Sequence, residues 1–289
     1  MASPDLTAAA TSVDLAKGVV DAATRHLAAA GDIDANQVIA YDLAHAAAAV
    51  EIARSVIDYG AKGEVEAGIA CAFVADALHD LATRTLARED QWGMEHGALA
   101  GAAGFVTTYR DPAFLAGLAG QAGPRHLDSD LEMVQDTFRR FAEEQVKPVA
   151  EHVHRTNGDI PEALISGLAE LGTFGLSVPE EYGGFAAGGE GEYLAMVVAT
   201  EELSRGSLGA AGSLITRPEI LTRALVKGGT EEQKHEWLPK LASGEIMNAV
   251  AVTEPDAGSD VAGIKVTAST SEPPRASMTT TAMGLNIFG

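Results

Sequence analysis

Cysteine is almost absent from the 289-residue sequence, and its one occurrence, Cys71, lies within an apolar helical pattern. A single thiol can form neither an internal disulfide framework nor a cysteine-based metal cluster. Long apolar runs are lacking too, since none approaches the roughly 18 residues that a membrane span requires. The first ten residues have no basic region followed by an apolar core, as an export signal would. We therefore expect a cytoplasmic chain that neither crosses nor binds a membrane.

Basic residues are scarce: 20 lysines and arginines stand against 41 aspartates and glutamates, for a formal net charge of −21. The basic residues are scattered along the chain, so the electrostatic footprint of a nucleic-acid-binding protein is missing. The histidines lack the spacing of a metal site backed by carboxylates, and His152 and His154, two apart beside Glu151, suit a solvated helix end better. The sequence predicts no nucleic-acid partner and no metal site.

The length is that of about two domains, and the first, residues 1–122, is predicted to be a helical N-terminal extension. Alanine dominates residues 12–122, which favours three or four helices because alanine loses no side-chain entropy on entering a helix. The clearest helix is expected over Glu64–Asp90, where Ile69 and other apolar residues recur every four positions. Its predicted neighbour begins after the N-cap Asn36 and ends at Gly60, so that the two form an antiparallel hairpin.

A second helical domain is predicted over residues 123–245, after the Gly-Pro pair in residues 121–126. Its first helix has an acidic cap at residues 128–130, and Pro148 should bend or end it. Arg139 and Arg140 are expected on the surface of that helix. Further helices are predicted after Pro161, over Glu192–Arg205, over Pro218–Lys227, and over Glu231–Ala242 with a Thr230/Gln233 capping box.

The pattern changes at Met247, and residues 246–270 are predicted to begin a β-domain. Asn248–Thr253 is small and β-prone, and Pro255–Gly258 supplies a turn. Residues 271–289 read as an irregular tail, because Pro273-Pro274 blocks a strand or a helix across it. The predicted fold class is thus mainly α, with only the first strand or strands of a β-domain.

Two stretches of this sequence resemble the acyl-CoA dehydrogenase family. Gly175–Gly184 (Gly-Leu-Ser-Val-Pro-Glu-Glu-Tyr-Gly-Gly) is similar to part of the family's N-terminal helical domain. Val250–Asp260 (Val-Ala-Val-Thr-Glu-Pro-Asp-Ala-Gly-Ser-Asp), followed by Val261–Lys265, is similar to the opening of its middle β-domain. The likeness covers roughly Leu131–Ala268. It implies that the chain begins such an enzyme and that the tail, which departs from the family pattern, is a truncated or frame-shifted remnant.

The resemblance implies FAD as cofactor and assigns roles to particular residues. Val250, Val252 and Thr253 would meet the flavin ring, and Ser259 would contact the thioester arm of the acyl-CoA substrate. The catalytic base would be a glutamate in a C-terminal helical bundle, so no catalytic residue is assigned here, and Glu254 is expected to be turn scaffold. From the residue types alone, a buried strand ending in an ordinary turn, with Ser259 capping the next segment, is the favoured interpretation, and the resemblance reverses that preference.

The helical extension resembles an extended subgroup of the family that acts on a methylsuccinyl-CoA-like, short branched acyl-CoA. Tyr41–Ala49 and Asp159–Glu162 carry that likeness. The resemblance further implies an electron-transfer flavoprotein as redox partner and a homo-oligomer in complete members. The alternative hypothesis is a non-catalytic helical fragment that associates with a full-length relative.

Overall fold

In a computed structural model, residues 2–121, 123–250 and 252–265 can be described. The predicted tail, residues 271–289, and the last part of the predicted β-segment lie outside these residues. The chain divides into two compact units, Met1–Arg125 and His126–Gly289. The described residues of both are helical, which confirms the mainly α class. No helix in the described part of the chain is long and apolar enough to span a bilayer.

The first unit is built on three long helices and two short ones. They are α1 (Leu6–Ala30), α2 (Gln37–Gly60), α3 (Glu64–Thr85), α4 (Ala103–Tyr109) and α5 (Pro112–Leu118). Helix α1 begins where the Asp5 carboxylate accepts the Ala8 N–H at 2.9 Å, and it ends at Gly31, whose φ of 76° is left-handed. Alanines at the contacts let α1, α2 and α3 approach closely around Val13, Val50 and Val74, which are buried.

Three details of the predicted hairpin are wrong. Helix α3 ends at Thr85 and not at Asp90, because Leu86 leaves the helical region with a ψ of 123°. Its buried face is centred on Val74 and Leu78, whereas Ile69 is 42% exposed, since α3 turns that side away from α1 and α2. The Asn36 side chain does not cap α2. It donates to the Asp32 carbonyl at 2.7 Å, because a 3₁₀ turn runs directly into the helix.

The second unit holds six helices in its described residues. They are α6 (Ser129–Phe141), α7 (Lys147–Thr156), α8 (Glu162–Glu170), α9 (Glu190–Ser207), α10 (Ser213–Gly228) and α11 (Glu231–Ser243). Short 3₁₀ turns at Thr173–Gly175, Glu180–Tyr182 and Val261–Gly263 complete it. Its core joins Phe138 of α6, Leu168 of α8, Leu203 of α9 and Leu214 of α10.

Two π-helical turns, Ala142–Val146 and Leu208–Gly212, explain where prolines fall in this unit. Pro148 neither ends the first helix nor opens a loop. The π-turn continues the chain from α6 into α7, and Pro148 lies in the first turn of α7, where its missing N–H costs little. Likewise α10 starts at Ser213, directly after the second π-turn, so Pro218 lies inside the helix and not at its predicted start.

The strand predicted at Asn248–Thr253 is not formed among the described residues. Residues 247–250 and 252–253 have no ladder partner, and a strand exists only where a second one accepts and donates its backbone hydrogen bonds. Within the described part of the chain, the β-pairing is an isolated bridge between Pro179 and Ala186.

The predicted capping box is present at the start of α11. The Thr230 hydroxyl accepts the Gln233 N–H at 3.3 Å, and the Gln233 side chain accepts the Thr230 N–H at 3.0 Å. We expect Thr230→Ala to lower the free energy of unfolding of this unit by about 1 kcal/mol, because the Gln233 N–H in the first turn of α11 loses its hydroxyl acceptor. Urea unfolding followed by circular dichroism measures the change. Thr156→Ala, at an exposed position in the last turn of α7, is the control and should change stability by less than about 0.5 kcal/mol.

Candidate functional site

The segment from Met247 to Lys265, which holds every predicted site residue, is folded onto itself by short hydrogen bonds. The Glu254 N–H donates to the Ala257 carbonyl at 2.8 Å, which closes a tight turn at its Pro255-Asp256 tip. The Asp260 carboxylate then accepts the Gly263 N–H at 3.1 Å. The Lys265 N–H donates to both Glu254 carboxylate oxygens at 3.0 Å, so this glutamate ties the two ends of the loop together.

The predicted flavin-facing residues of this segment are exposed to solvent. Val250 is 48% exposed and Val252 45% exposed, and the Thr253 side chain is exposed as well. Among the described residues no group donates to or accepts from the Thr253 hydroxyl. A backbone and a hydroxyl that stay unpaired can serve as hydrogen-bond donors to a polar ligand.

Ser259 lies in the turn next to Thr253. A Cβ atom placed on Gly258 would stand 3.7 Å from the Thr253 Cγ2. The residue that precedes Ser259 is therefore in contact range of Thr253. Ser259 is exposed, and its hydroxyl has no partner among the described residues. In the Ser259-Asp260 pair, the Asp260 side chain, and not the Ser259 hydroxyl, caps the following 3₁₀ turn.

The segment is anchored on α10. The Asn248 side-chain amide donates to the Arg217 carbonyl at 3.0 Å, and Ala257 is buried. On the same helix the Arg223 guanidinium lies 4.5 Å above the ring centre of Tyr193 in α9, a cation–π contact. Apolar side chains that stay exposed on α9 and α10 are Tyr193, Leu194, Val197, Ile220 and Val226.

A cavity of about 370 Å³ opens elsewhere in the second unit, and the sequence did not predict it. Its lining includes Leu171 after α8, Tyr182 and Phe185 in the following loop, and Pro239 in α11. Burial first, and then the nearby Glu231 carboxylate, raise the pKa of the Tyr182 phenol. Because three segments separated in sequence line the cavity, no local pattern could reveal it.

A buried charge lies between α6 and α9. The Glu202 side chain is fully buried and accepts from Arg139 at 2.7 Å and from Arg205 at 3.0 Å. Arg205 also donates to Glu143 at 2.7 Å, and Glu143 in turn accepts from Lys147. The hydrogen bond from Arg139 is the main cause that lowers the pKa of Glu202 below its ordinary value. Arg139 is thus not a plain surface residue, although nothing in the sequence pairs it with a residue 63 positions away.

In the part of the chain that the structure describes, no three histidine, cysteine, aspartate or glutamate side chains lie close enough together to hold a metal ion. His152 and His154 lie near the end of α7. Both carboxylate oxygens of Glu254 accept the Lys265 N–H, so this glutamate holds the loop closed. The described geometry therefore offers hydrogen-bond donors for a bound molecule, not a complete catalytic set.

Comparison with known proteins finds relatives for most of the second unit. Residues 128–245 match the family described as acyl-CoA dehydrogenase, N-terminal domain. The chain is 49% identical to (2S)-methylsuccinyl-CoA dehydrogenase of Cereibacter sphaeroides over 146 residues, or 50% of this chain and 26% of that protein. It is 38% identical to mitochondrial 2-methylacyl-CoA dehydrogenase of Solanum tuberosum over 140 residues, or 48% of this chain and 33% of the relative.

Among solved structures, the chain is similar to glutaryl-coenzyme A dehydrogenase in its glutaryl-CoA complex, with 35% identity and a TM-score of 0.42 over 49% of this chain and 35% of that one. The matched stretch thus spans about a quarter to a third of the length of the curated relatives. Residues 128–245 are thus the part of this chain that is similar to the N-terminal domain of acyl-CoA dehydrogenases.

Proposed function

We propose that this protein takes part in the FAD-dependent α,β-dehydrogenation of a short branched acyl-CoA of the methylsuccinyl-CoA type. One observation carries the choice of substrate. Identity to the methylsuccinyl-CoA enzyme is 49%, against 38% for the 2-methylacyl-CoA and isovaleryl-CoA dehydrogenases over stretches of similar length. The whole enzyme's activity and substrate come to this chain only through that likeness.

The residues of the Met247–Lys265 segment fit a flavin. The edge of a flavin ring carries nitrogen and oxygen atoms that accept hydrogen bonds, and donors placed there stabilise the more anionic reduced ring. The unpaired Thr253 hydroxyl and the exposed backbone around Val250 and Val252 are donors of this kind. When bound, FAD supplies the acceptor for the hydride that leaves the β-carbon of the substrate.

The chain's own residues would bind and orient in this reaction. We assign the Thr253 hydroxyl to the flavin ring and Ser259 to the thioester arm of the acyl-CoA; the two residues lie on either side of the Glu254–Ala257 turn. Glu254 holds that turn closed through the Lys265 N–H. The carboxylate that removes the α-proton is expected from the C-terminal bundle of the family, and no described residue takes that role.

The proposed partners follow from the family. An acyl-CoA is the substrate, and an electron-transfer flavoprotein reoxidises the flavin. Complete members are expected to assemble as homo-oligomers. The exposed apolar side chains of α9 and α10, among them Tyr193 and Val197, offer a surface on which the rest of such an enzyme packs.

Flavin binding tests the proposal directly. We expect the purified chain, mixed with FAD and passed through a desalting column, to carry flavin absorption with it. Thr253→Ala should weaken FAD affinity by about tenfold, the value of one hydrogen bond of about 1.4 kcal/mol. Ser259→Ala is the matched control, since it should leave FAD affinity unchanged and weaken only the binding of an acyl-CoA. A chain that retains no flavin would remove the cofactor claim for these residues.

A further inference from the structure

One side of α2 is exposed along most of the helix although apolar and small neutral residues form it. Val38 is 71% exposed, Tyr41 66% and Ile52 51%. Tyr41 and His45 touch edge to face, with ring centres 4.5 Å apart, which shows that they share this side. We call the set the α2 stripe; it consists of Val38, Tyr41, His45, Ala48, Ile52 and Ser55.

The residues of the α2 stripe follow one another in alternating steps of three and four along the chain. This is the heptad spacing with which one helix packs against another. The opposite side of α2 already performs core packing, because Leu43, Ala46, Val50 and Ala53 are buried within the first unit. The stripe is therefore a second, separate packing surface on the same helix.

The α2 stripe contains no aspartate, glutamate, lysine or arginine. The chain has a formal net charge of −21, yet no aspartate or glutamate interrupts these positions over the length of the helix. The acidic residues of α2, Asp42, Glu51 and Asp58, lie beside the stripe and not on it. Depletion of charge at the centre with charges on the rim is the composition of a protein interface.

We propose that a second copy of this chain docks on the α2 stripe, with the two α2 helices antiparallel about a two-fold axis. A two-fold interface must be complementary to itself. When the helices cross midway between Ala46 and Ala47, every stripe residue of one copy meets a stripe residue of the other. The three kinds of pair are Val38 with Ser55, Tyr41 with Ile52, and His45 with Ala48.

Size is complementary in this arrangement. Val38 faces the smaller Ser55, and His45 faces Ala48, so bulky side chains meet small ones and the helices can approach closely near the crossing point. Tyr41 and Ile52 form the aromatic–aliphatic contact between the central layer and the terminal layer at each end.

Charges do not oppose one another either. In the same arrangement Glu51 lies across from Ala44, and Asp58 across from Gln37. Asp42, on the other edge, is neutralised within its own copy by Arg84 and Arg88, each at 2.8 Å. A pairing that placed acidic residues opposite one another would be disfavoured, and the proposed arrangement avoids this.

The area limits the strength of the dimer. The exposed parts of the stripe amount to roughly 500 Å² a copy, or about 1,000 Å² in total, at the lower end of specific interfaces. We therefore expect a reversible monomer–dimer equilibrium. Because two acidic chains repel at long range while the contact itself is apolar, added salt should strengthen the dimer. This inference is independent of flavin binding and of the proposed reaction.

Sedimentation equilibrium of the full chain, at about 5 to 500 µM, tests the surface. We expect dimers that dissociate on dilution, and Tyr41→Glu should raise the dissociation constant at least about tenfold, since it places a charge in an apolar contact. Met133→Glu is the matched control: Met133 in α6 is 64% exposed and off the stripe, so dimerisation should stay unchanged. A monomer throughout, or a dimer insensitive to Tyr41→Glu, would overturn the proposal.

Cross-linking tests the direction of the helices. In the proposed pairing, Ala48→Cys lies about 4.5 Å along the axis from its two-fold mate, whereas Val38→Cys lies about 25 Å from its own. A short bis-maleimide should therefore join two copies of Ala48→Cys and not two copies of Val38→Cys. The buried Cys71 gives no background. Cross-linking of both variants would indicate parallel helices and would overturn the antiparallel arrangement.

Discussion

Replacing Gly184 by alanine should destabilise the second unit by about 3 kcal/mol or more, one of the largest effects of any exposed-loop substitution in the chain. A Cβ atom on Gly184 would stand 1.9 Å from the carbonyl oxygen of Val178 and 2.5 Å from the Val178 Cβ. That same carbonyl accepts the Ala186 N–H at 2.9 Å. Because the obstacle is backbone and Val178 is fully buried, no side-chain rotation relieves the clash.

Two neighbouring glycines are controls for the Gly184 prediction. Gly183 has a left-handed φ of 82° but open space around its Cβ position, so Gly183→Ala should cost only about 1 kcal/mol. Gly191 lies in α9 with open space, and Gly191→Ala should be neutral or slightly stabilising. Urea unfolding of the three variants measures this order. Equal losses for Gly183→Ala and Gly184→Ala would show that conformation, not close approach, decides the effect.

The sequence predicted the existence of most helices because their causes are local. The capping box of α11 and the acidic cap of α6 depend on residues three or four positions apart, and both occur in the structure. The ends of α3 and α10 were wrong because tertiary packing and a π-turn set them. The face of α3 was misjudged for the same reason: Ile69 continues its apolar pattern but is exposed, because the partners α1 and α2 lie on the side of Val74.

Site prediction followed the same division. Thr253 and Ser259 lie in one short segment, so a sequence motif could nominate them, and both are exposed in the structure, on either side of the Glu254–Ala257 turn. Their roles stay predictions. The cavity beside Tyr182 and the burial of Glu202 depend on contacts between distant segments, which periodicity does not report. Residues that act through long-range pairing are the ones that a single sequence hides.

Replacing Glu202 by glutamine should lower the free energy of unfolding by about 2 kcal/mol at pH 7. Removing one side of a fully buried ion pair costs about 3–5 kcal/mol, and solvent screening of the half-exposed Arg139 and Arg205 reduces that figure. Glutamine keeps the size of the side chain, so the loss measures charge and hydrogen bonding rather than a cavity. It leaves two guanidinium groups beside a neutral amide at the α6–α9 contact.

The pH dependence of this loss has a definite sign. Because Arg139 and Arg205 lower the pKa of Glu202 in the folded chain, the unfolded chain takes up a proton first as pH falls. The stabilisation is complete above about 4.3, the ordinary glutamate pKa, and it decreases below that value until the folded-state pKa is passed. The difference between wild type and Glu202→Gln should therefore shrink in acid.

Urea unfolding of both proteins at several pH values from about 7 to about 3, followed by circular dichroism, measures that difference. Glu144→Gln is the matched control, since Glu144 is an exposed glutamate of the neighbouring π-turn, and its substitution should change stability by less than about 0.5 kcal/mol at every pH. A wild-type advantage that stays constant in acid would mean that the charge of Glu202 does not contribute to stability. A wild-type advantage that shrinks in acid would show that the charge of Glu202 stabilises the α6–α9 contact.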